Sequence, residues 1–102
     1  MASIADYRRL ALELPGVTEV AHFKRRAFRT KRKIFATMLE EDGIGVALLI
    51  PAEQFIYCKL DPTNIYPVPN KWGLSGATQL NLKSIKKTVL KEILLTAYQH
   101  AL

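Results

Sequence analysis

The sequence predicts an α+β domain in which helices pack on an antiparallel sheet, a single domain spanning 1–102. Three observations lead there. Apolar residues recur at helical spacing near both ends of the chain. Two apolar stretches flank Asp42-Gly43 and alternate with a period of two. Between them and the first helix, basic residues interleave with Phe23, Phe28 and Phe35, as in short strands joined by a charged turn. With 102 residues, 49% of them hydrophobic, the chain has enough apolar surface for one core without disulfides or metal.

Each element follows from its residues. Ser3, with Asp6 three positions on, suits a helix N-terminus of capping-box type. Ile4, Tyr7, Leu10, Ala11 and Leu14 then form the buried stripe, Arg8, Arg9 and Glu13 face water, and Pro15-Gly16 stops the helix. Strands are expected at about 18–23 and 26–30, with Lys31-Arg32 in the turn. A third, about 33–40, should place Ile34, Ala36 and Met38 on one face and Phe35, Thr37 and Leu39 on the other. Asp42-Gly43 reads as a two-residue hairpin turn that returns the chain from Gly45 to Ile50. Both faces of these central strands are apolar, so helices or a partner chain must cover both.

Pro51-Ala52-Glu53 suits the first turn of a short helix reaching about Cys58, with Phe55 and Ile56 as its buried contacts. Three prolines and two glycines between Asp61 and Gly76 imply mostly loop. One more strand is expected from Ala77 to Leu82. Ser84 then caps a closing helix with the stripe Ile85, Val89, Ile93 and Ala97, and Lys83, Lys86, Lys87 and Lys91 on its solvent side.

The formal charge is +6, from 15 basic and 9 acidic residues. Seven of the ten residues from 24 to 33 are basic: Lys24, Arg25, Arg26, Arg29, Lys31, Arg32 and Lys33. The remainder holds 8 basic against 9 acidic residues, so the excess is local and gives the field a direction. Arginine binds phosphate oxygens bidentately, and a turn projects several cations at once. The competing reading is a solvated hairpin that keeps the protein soluble. Glu40-Glu41-Asp42 forms an acidic tip on the next hairpin, and opposed tips would also suit pairing between two copies of the chain. Lys71 and Trp72, with Tyr66, could stack a base, or Trp72 could anchor its loop on the core.

Catalytic and metal-binding patterns are missing from the sequence, so no enzyme activity, cofactor or metal is expected. His22 and His100 are far apart, and Cys58 has no neighbouring pattern that marks a nucleophile. Gly43-Ile44-Gly45 lacks the third glycine and following helix of a dinucleotide loop. A single cysteine and the lack of a signal peptide or membrane span point to the cytoplasm.

The chain resembles the MmcQ/YjbR family of small bacterial proteins. Leu14-Pro15-Gly16-Val17-Thr18-Glu19, Ala27-Phe28-Arg29, Lys33-Ile34-Phe35-Ala36-Thr37, Tyr66-Pro67-Val68-Pro69, Trp72-Gly73 and Ala97-Tyr98 stand in that family's order and spacing. The resemblance implies a YjbR-like α+β fold and a DNA-binding role through a double-wing arrangement of projecting hairpins. The chain departs from that pattern at Phe23-Lys24-Arg25, at Arg26, at the Lys31-Arg32-Lys33 turn and at Ala77, so its basic patch is heavier than the family requires. The expectation is binding of DNA or RNA, without sequence specificity, through Lys24, Arg25, Arg26, Arg29, Lys31, Arg32 and Lys33, with Lys71 and Trp72 alongside. The alternative is a protein-interaction module, as a homodimer or with an acidic partner. A ligand cleft between the Pro-rich loop and the sheet is a third possibility.

Overall fold

The computed structural model describes residues 4–22 and 25–102; the expected Ser3 cap, Phe23, Lys24 and the His22 side chain lie outside the described residues. The chain runs α1 (Ile4–Leu12), β1 (Thr18–His22), β2 (Arg25–Arg29), β3 (Ile34–Leu39), β4 (Ile44–Leu48), α2 (Pro51–Leu60), β5 (Ile65–Pro67), α3 (Lys71–Leu74), β6 (Ala77–Asn81) and α4 (Lys87–His100). The six strands form one antiparallel sheet in the order β1-β2-β3-β4-β6-β5. This is the α+β architecture expected from the sequence. No described helix is long and apolar enough to cross a membrane.

Helices α1 and α4 cover one face of the sheet. Tyr7, Leu10, Phe28, Met38, Leu80, Leu90, Ile93 and Leu94 fill the core between them. Phe35 joins this core and meets Tyr98 edge-to-face at 5.7 Å. Strict alternation places Phe35 opposite Ala36, but the β2–β3 register slips between Phe28 and Arg29. The extra residue in β3 turns both Phe35 and Ala36 toward the helices.

Tyr7 ties α1 to the middle of the sheet. Its hydroxyl reaches the carbonyls of Thr37 (3.0 Å) and Val46 (3.3 Å). Gly45 makes this possible, because a Cβ there would stand 2.7 Å from the Tyr7 ring. Burial pushes the Tyr7 phenol far above its ordinary range, with Arg25 opposing more weakly, so it stays a neutral donor. Tyr7→Phe is expected to cost about 1–2 kcal/mol, read as a lower melting temperature, because the carbonyls lose a buried donor and nothing replaces it.

Elsewhere the structure corrects the sequence reading. The β3–β4 connection is a four-residue loop, 40–43, closed by Asp42 N–H to Leu39 O and Gly43 N–H to Glu40 O. Gly43 takes the left-handed conformation there (φ 66°). The 61–76 segment holds β5 and the one-turn α3 within its loops. Helix α4 begins at Lys87, with Lys86 rather than Ser84 in the cap position. In α2, Pro51 starts the helix, and the Glu53 carboxylate accepts from Ile50 N–H. Phe55 and Ile56 point outward, while Gln54 and Tyr57 are the buried contacts of that helix. Gln54 Nε2 donates to Gly73 O and Ala77 O, both at 2.9 Å, which locks α2 to the start of β6.

The second face of the sheet carries no long helix among the described residues. Only the segment around Val68 and α3 packs there, against Val46, Leu48 and Ala77. The expectation that helices or a partner cover both faces holds for the α1/α4 face; on the other, Ala27, Thr37, Val46 and Ala77 are buried although no long helix lies over them among the described residues.

Candidate nucleic-acid interface

Strand geometry decides where the basic run ends up. Successive side chains on β2 alternate between faces, so Arg26 and Phe28 share the helix side while Arg25, Ala27 and Arg29 share the other. Cations adjacent in sequence thus have different neighbours.

On the helix side, acids neutralise them. Arg26 Nε donates to Glu19 Oε2 at 2.6 Å. Arg8 Nη2 donates to the same oxygen at 3.2 Å, and Arg8 Nε stands 3.1 Å from Oε1, off-line for a hydrogen bond. Arg8 also approaches Glu40 at 3.8 Å, and Asp6 pairs with Arg9 and Lys87. Arg26 is therefore half of a structural ion pair and the weakest of the expected contact residues among those described.

On the helix-free face and at the turn end of the sheet, none of the ion pairs among the described residues includes Arg25, Arg29, Lys31, Arg32, Lys33 or Lys71, and Lys59, Lys83, Lys86 and Lys91 elsewhere are outside them too. Arg25 Nη1 is buried without a hydrogen-bond partner. Diagonally across from it, Thr37 is 4% exposed, and its hydroxyl is unpartnered too. Arg29 folds back on the turn, donating from Nε to Thr30 O (3.1 Å) and more weakly from Nη2 to Lys31 O (3.5 Å). The middle of this face is lined by small buried residues, Ala27, Thr37 and Val46. Gln79 and Tyr66 continue the same row across β6 and β5, and Gln79 Nε2 donates to the Tyr66 hydroxyl at 3.4 Å.

The turn at 30–33 is well built. Thr30 Oγ1 donates to Ala101 O at 2.7 Å and accepts from the backbone N–H of Arg32 and Lys33. Arg32 Nη1 donates to Leu102 O. Lys31, Arg32 and Lys33 are all exposed. β2 ends, β3 begins, β4 ends and β6 begins at this same end of the sheet, where Arg29 faces Ile34 and Leu48 faces Ala77. α3 lies just before β6, so Lys71 and Trp72 come to the same end as the turn. Asn70 Oδ1 caps α3 by accepting from Trp72 N–H at 2.8 Å. Trp72 is 37% exposed, so it is neither a free stacking platform nor a fully buried anchor.

The acidic tip at Glu40-Glu41-Asp42 belongs to the other end. Six residues of β3 separate it from the basic turn, a span of about 20 Å at ~3.3 Å per residue. The two tips point in opposite directions along the sheet, so a phosphate chain at the basic turn does not meet the acids. Arg25 falls toward the acidic end, which divides the run between the two ends of β2.

Alternation was legible in the sequence and would have separated Arg26 from Arg25 and Arg29. Thr37, a polar residue inside an apolar strand, was the available pointer to the helix-free face. Glu19 was visible as an acid but not as the partner of two arginines, because that pairing depends on tertiary placement.

Other chemistry is sparse. Cys58 is half-buried, and burial pushes its thiol up, away from nucleophile character. His100 Nε2 sits 2.8 Å from both Glu53 oxygens, a contact between α4 and α2. Among the described residues no three His, Cys, Asp or Glu side chains gather as a metal site.

Comparison with known proteins agrees with the architecture. The crystal structure of the Deinococcus radiodurans protein DR2400, a DUF419 domain, superposes with a TM-score of 0.78 at 19% identity, covering 95% of this chain and 76% of that one. At that identity the likeness concerns the fold. No curated protein matches the sequence. The YjbR family profile matches residues 12–100, which takes in β1 through α4, and the chain belongs to the YjbR family.

Proposed function

We propose that the protein is a cytoplasmic, non-catalytic nucleic-acid-binding domain that holds the phosphate backbone against the helix-free face and the basic end of its sheet. The observation that carries this reading is the gathering of cations at one end of the sheet. Arg29, Lys31, Arg32, Lys33 and Lys71 come together there and take part in none of the ion pairs among the described residues, whereas Arg26, their neighbour in sequence, is taken up by Glu19. Unpaired cations on one surface need anions nearby, and a phosphate backbone supplies them in a row. No recognition helix or ribbon pattern for a groove stands out in the sequence, so contacts to the backbone should dominate and sequence specificity is not expected.

The test is a titration of labelled duplex DNA and of single-stranded RNA at two salt concentrations. With about four to six phosphate contacts, affinity for duplex should fall roughly 100- to 1,000-fold or more between ~50 and ~200 mM salt. Binding that is missing at low salt, or indifferent to salt, overturns the reading. The RNA arm decides between the two nucleic acids.

A further inference from the structure

The outer face of α2 is apolar where a solvated helix should be polar. Phe55, Ile56 and Leu60 are 67%, 63% and 62% exposed. Gln54 and Tyr57 occupy the inward side, so α2 carries apolar side chains around most of its circumference. A helix of that kind is normally buried. Beside it, α2 and α4 enclose an open groove of about 640 Å³ lined by Phe55, Ile56, Leu60, Lys59, Glu53 and Glu92. Tyr57 forms part of its floor, held by hydrogen-bond contacts to Glu92 (3.0 Å) and Thr96 (3.3 Å). Leu95, three residues on from Glu92, adds further exposed apolar surface. Contiguous surface of this kind marks an interaction site.

We propose that a second copy of this chain covers it, with α2 packed antiparallel on α2 of the partner about a two-fold axis. Two features of the helix select that occupant. Phe55 and Ile56 stand at the midpoint of the ten-residue helix, so a two-fold there brings the most exposed apolar pair against its own copy. The charges are arranged for the same operation. Glu53 lies in the first turn and Lys59 in the last, so reversal of the partner helix sets each Lys59 against the other copy's Glu53. Glu92 supplies a second acid on the groove wall. An acidic partner would face Glu53 and Glu92, and a basic one would face Lys59. A partner carrying both signs in the reverse order suits the rim best, and the chain itself is one, although Glu53 also meets His100 and Ile50 N–H within its own copy.

The expected affinity follows from the area. Three or four large side chains from each copy bury roughly 1,000 Å² in total, the lower end of specific interfaces, so dissociation in the micromolar to submillimolar range is expected. Each copy carries a formal charge of +6, so the pair should tighten as salt screens their repulsion. That is the opposite salt response to phosphate binding, which uses other residues, so the two readings fail independently.

Sedimentation of the full chain from ~1 to ~500 µM, at low and at moderate salt, tests the proposal. The expected result is a monomer–dimer equilibrium that shifts toward dimer with salt. Phe55→Glu should weaken it at least tenfold with an unchanged melting temperature, because the side chain contributes little to the monomer core. Lys59→Glu should weaken it as well, because it sets a like charge against Glu53 and Glu92 of the other copy, while Lys59→Arg should leave it within a few-fold. A monomer throughout the concentration range, or a dimer indifferent to Phe55→Glu, overturns the proposal.

Discussion

Changing Lys31, Arg32 and Lys33 together to Glu is expected to weaken duplex DNA binding roughly a hundredfold or more at ~50 mM salt. Three favourable phosphate interactions become three repulsions. The slope of log affinity against log salt should flatten by about three, one unit for each phosphate that is no longer neutralised. The fold should survive. The turn is held by the Thr30 hydroxyl and by the backbone of Lys33, which the substitutions leave in place. Exposed charges contribute little to stability, and the Arg32 bond to Leu102 O is at the surface, so a loss of about 1 kcal/mol or less is expected. Glu40→Gln with Glu41→Gln is the matched control. These acids lie at the far end of β3, and their neutralisation should leave affinity equal or slightly higher. If the triple reversal leaves DNA affinity untouched, the turn is only a solvated hairpin.

The largest effect on stability is expected at Gly76. It takes φ +113°, and a Cβ there would stand 1.9 Å from Leu49 O and 2.7 Å from Leu49 C. Those are backbone atoms that cannot swing aside. Leu49 N–H donates to Gly76 O (3.2 Å), and Thr78 Oγ1 donates to the same carbonyl (2.9 Å), so the two segments are locked together. Gly76→Ala must part the end of β4 from the start of β6, at a cost of about 3 kcal/mol or more. For a domain of this size that lowers the melting temperature by roughly 12–24 °C. Gly16→Ala separates the two contributions. Its φ is +77°, but nothing lies within 4 Å of its would-be Cβ, so only backbone strain of about 1–2 kcal/mol applies. Equal losses at the two sites would show that close approach at Gly76 is not what matters.

The regular parts of the fold were legible because their periodicity reports burial. The stripe of Tyr7, Leu10 and Ala11, the placing of Ala36 and Met38 on the core side of β3, and the Ile93–Ala97 face of α4 all appear where their spacing puts them. What periodicity could not show has physical causes. Phe55 and Ile56 read as core because α2 is apolar around most of its circumference, and the pattern then does not say which side faces inward. β5 and α3 have three and four residues, too short for either period to register. The slip at Phe28/Arg29 turns Phe35 over, and a one-residue register shift leaves no trace in composition. The candidate interface was legible as a charge run, but its division between two faces and two ends of β2 came from strand geometry.

The clasp between the last helix and the early strands bears on how the chain folds as it is made. Thr30 reaches Ala101, and the Tyr98 hydroxyl donates to Pro15 O at 2.6 Å, bonds that join residues 71 and 83 positions apart in sequence. Leu90, Ile93, Leu94, Ala97 and Tyr98 complete the core over the sheet. While α4 is still inside the ribosome, a nearly finished sheet has only α1 and α2 to shield its apolar side. Synthesis at roughly 5–20 residues per second keeps that side open for seconds. Nascent chains stalled before Lys87 should therefore recruit chaperones, and those stalled with α4 fully outside the exit tunnel should release them.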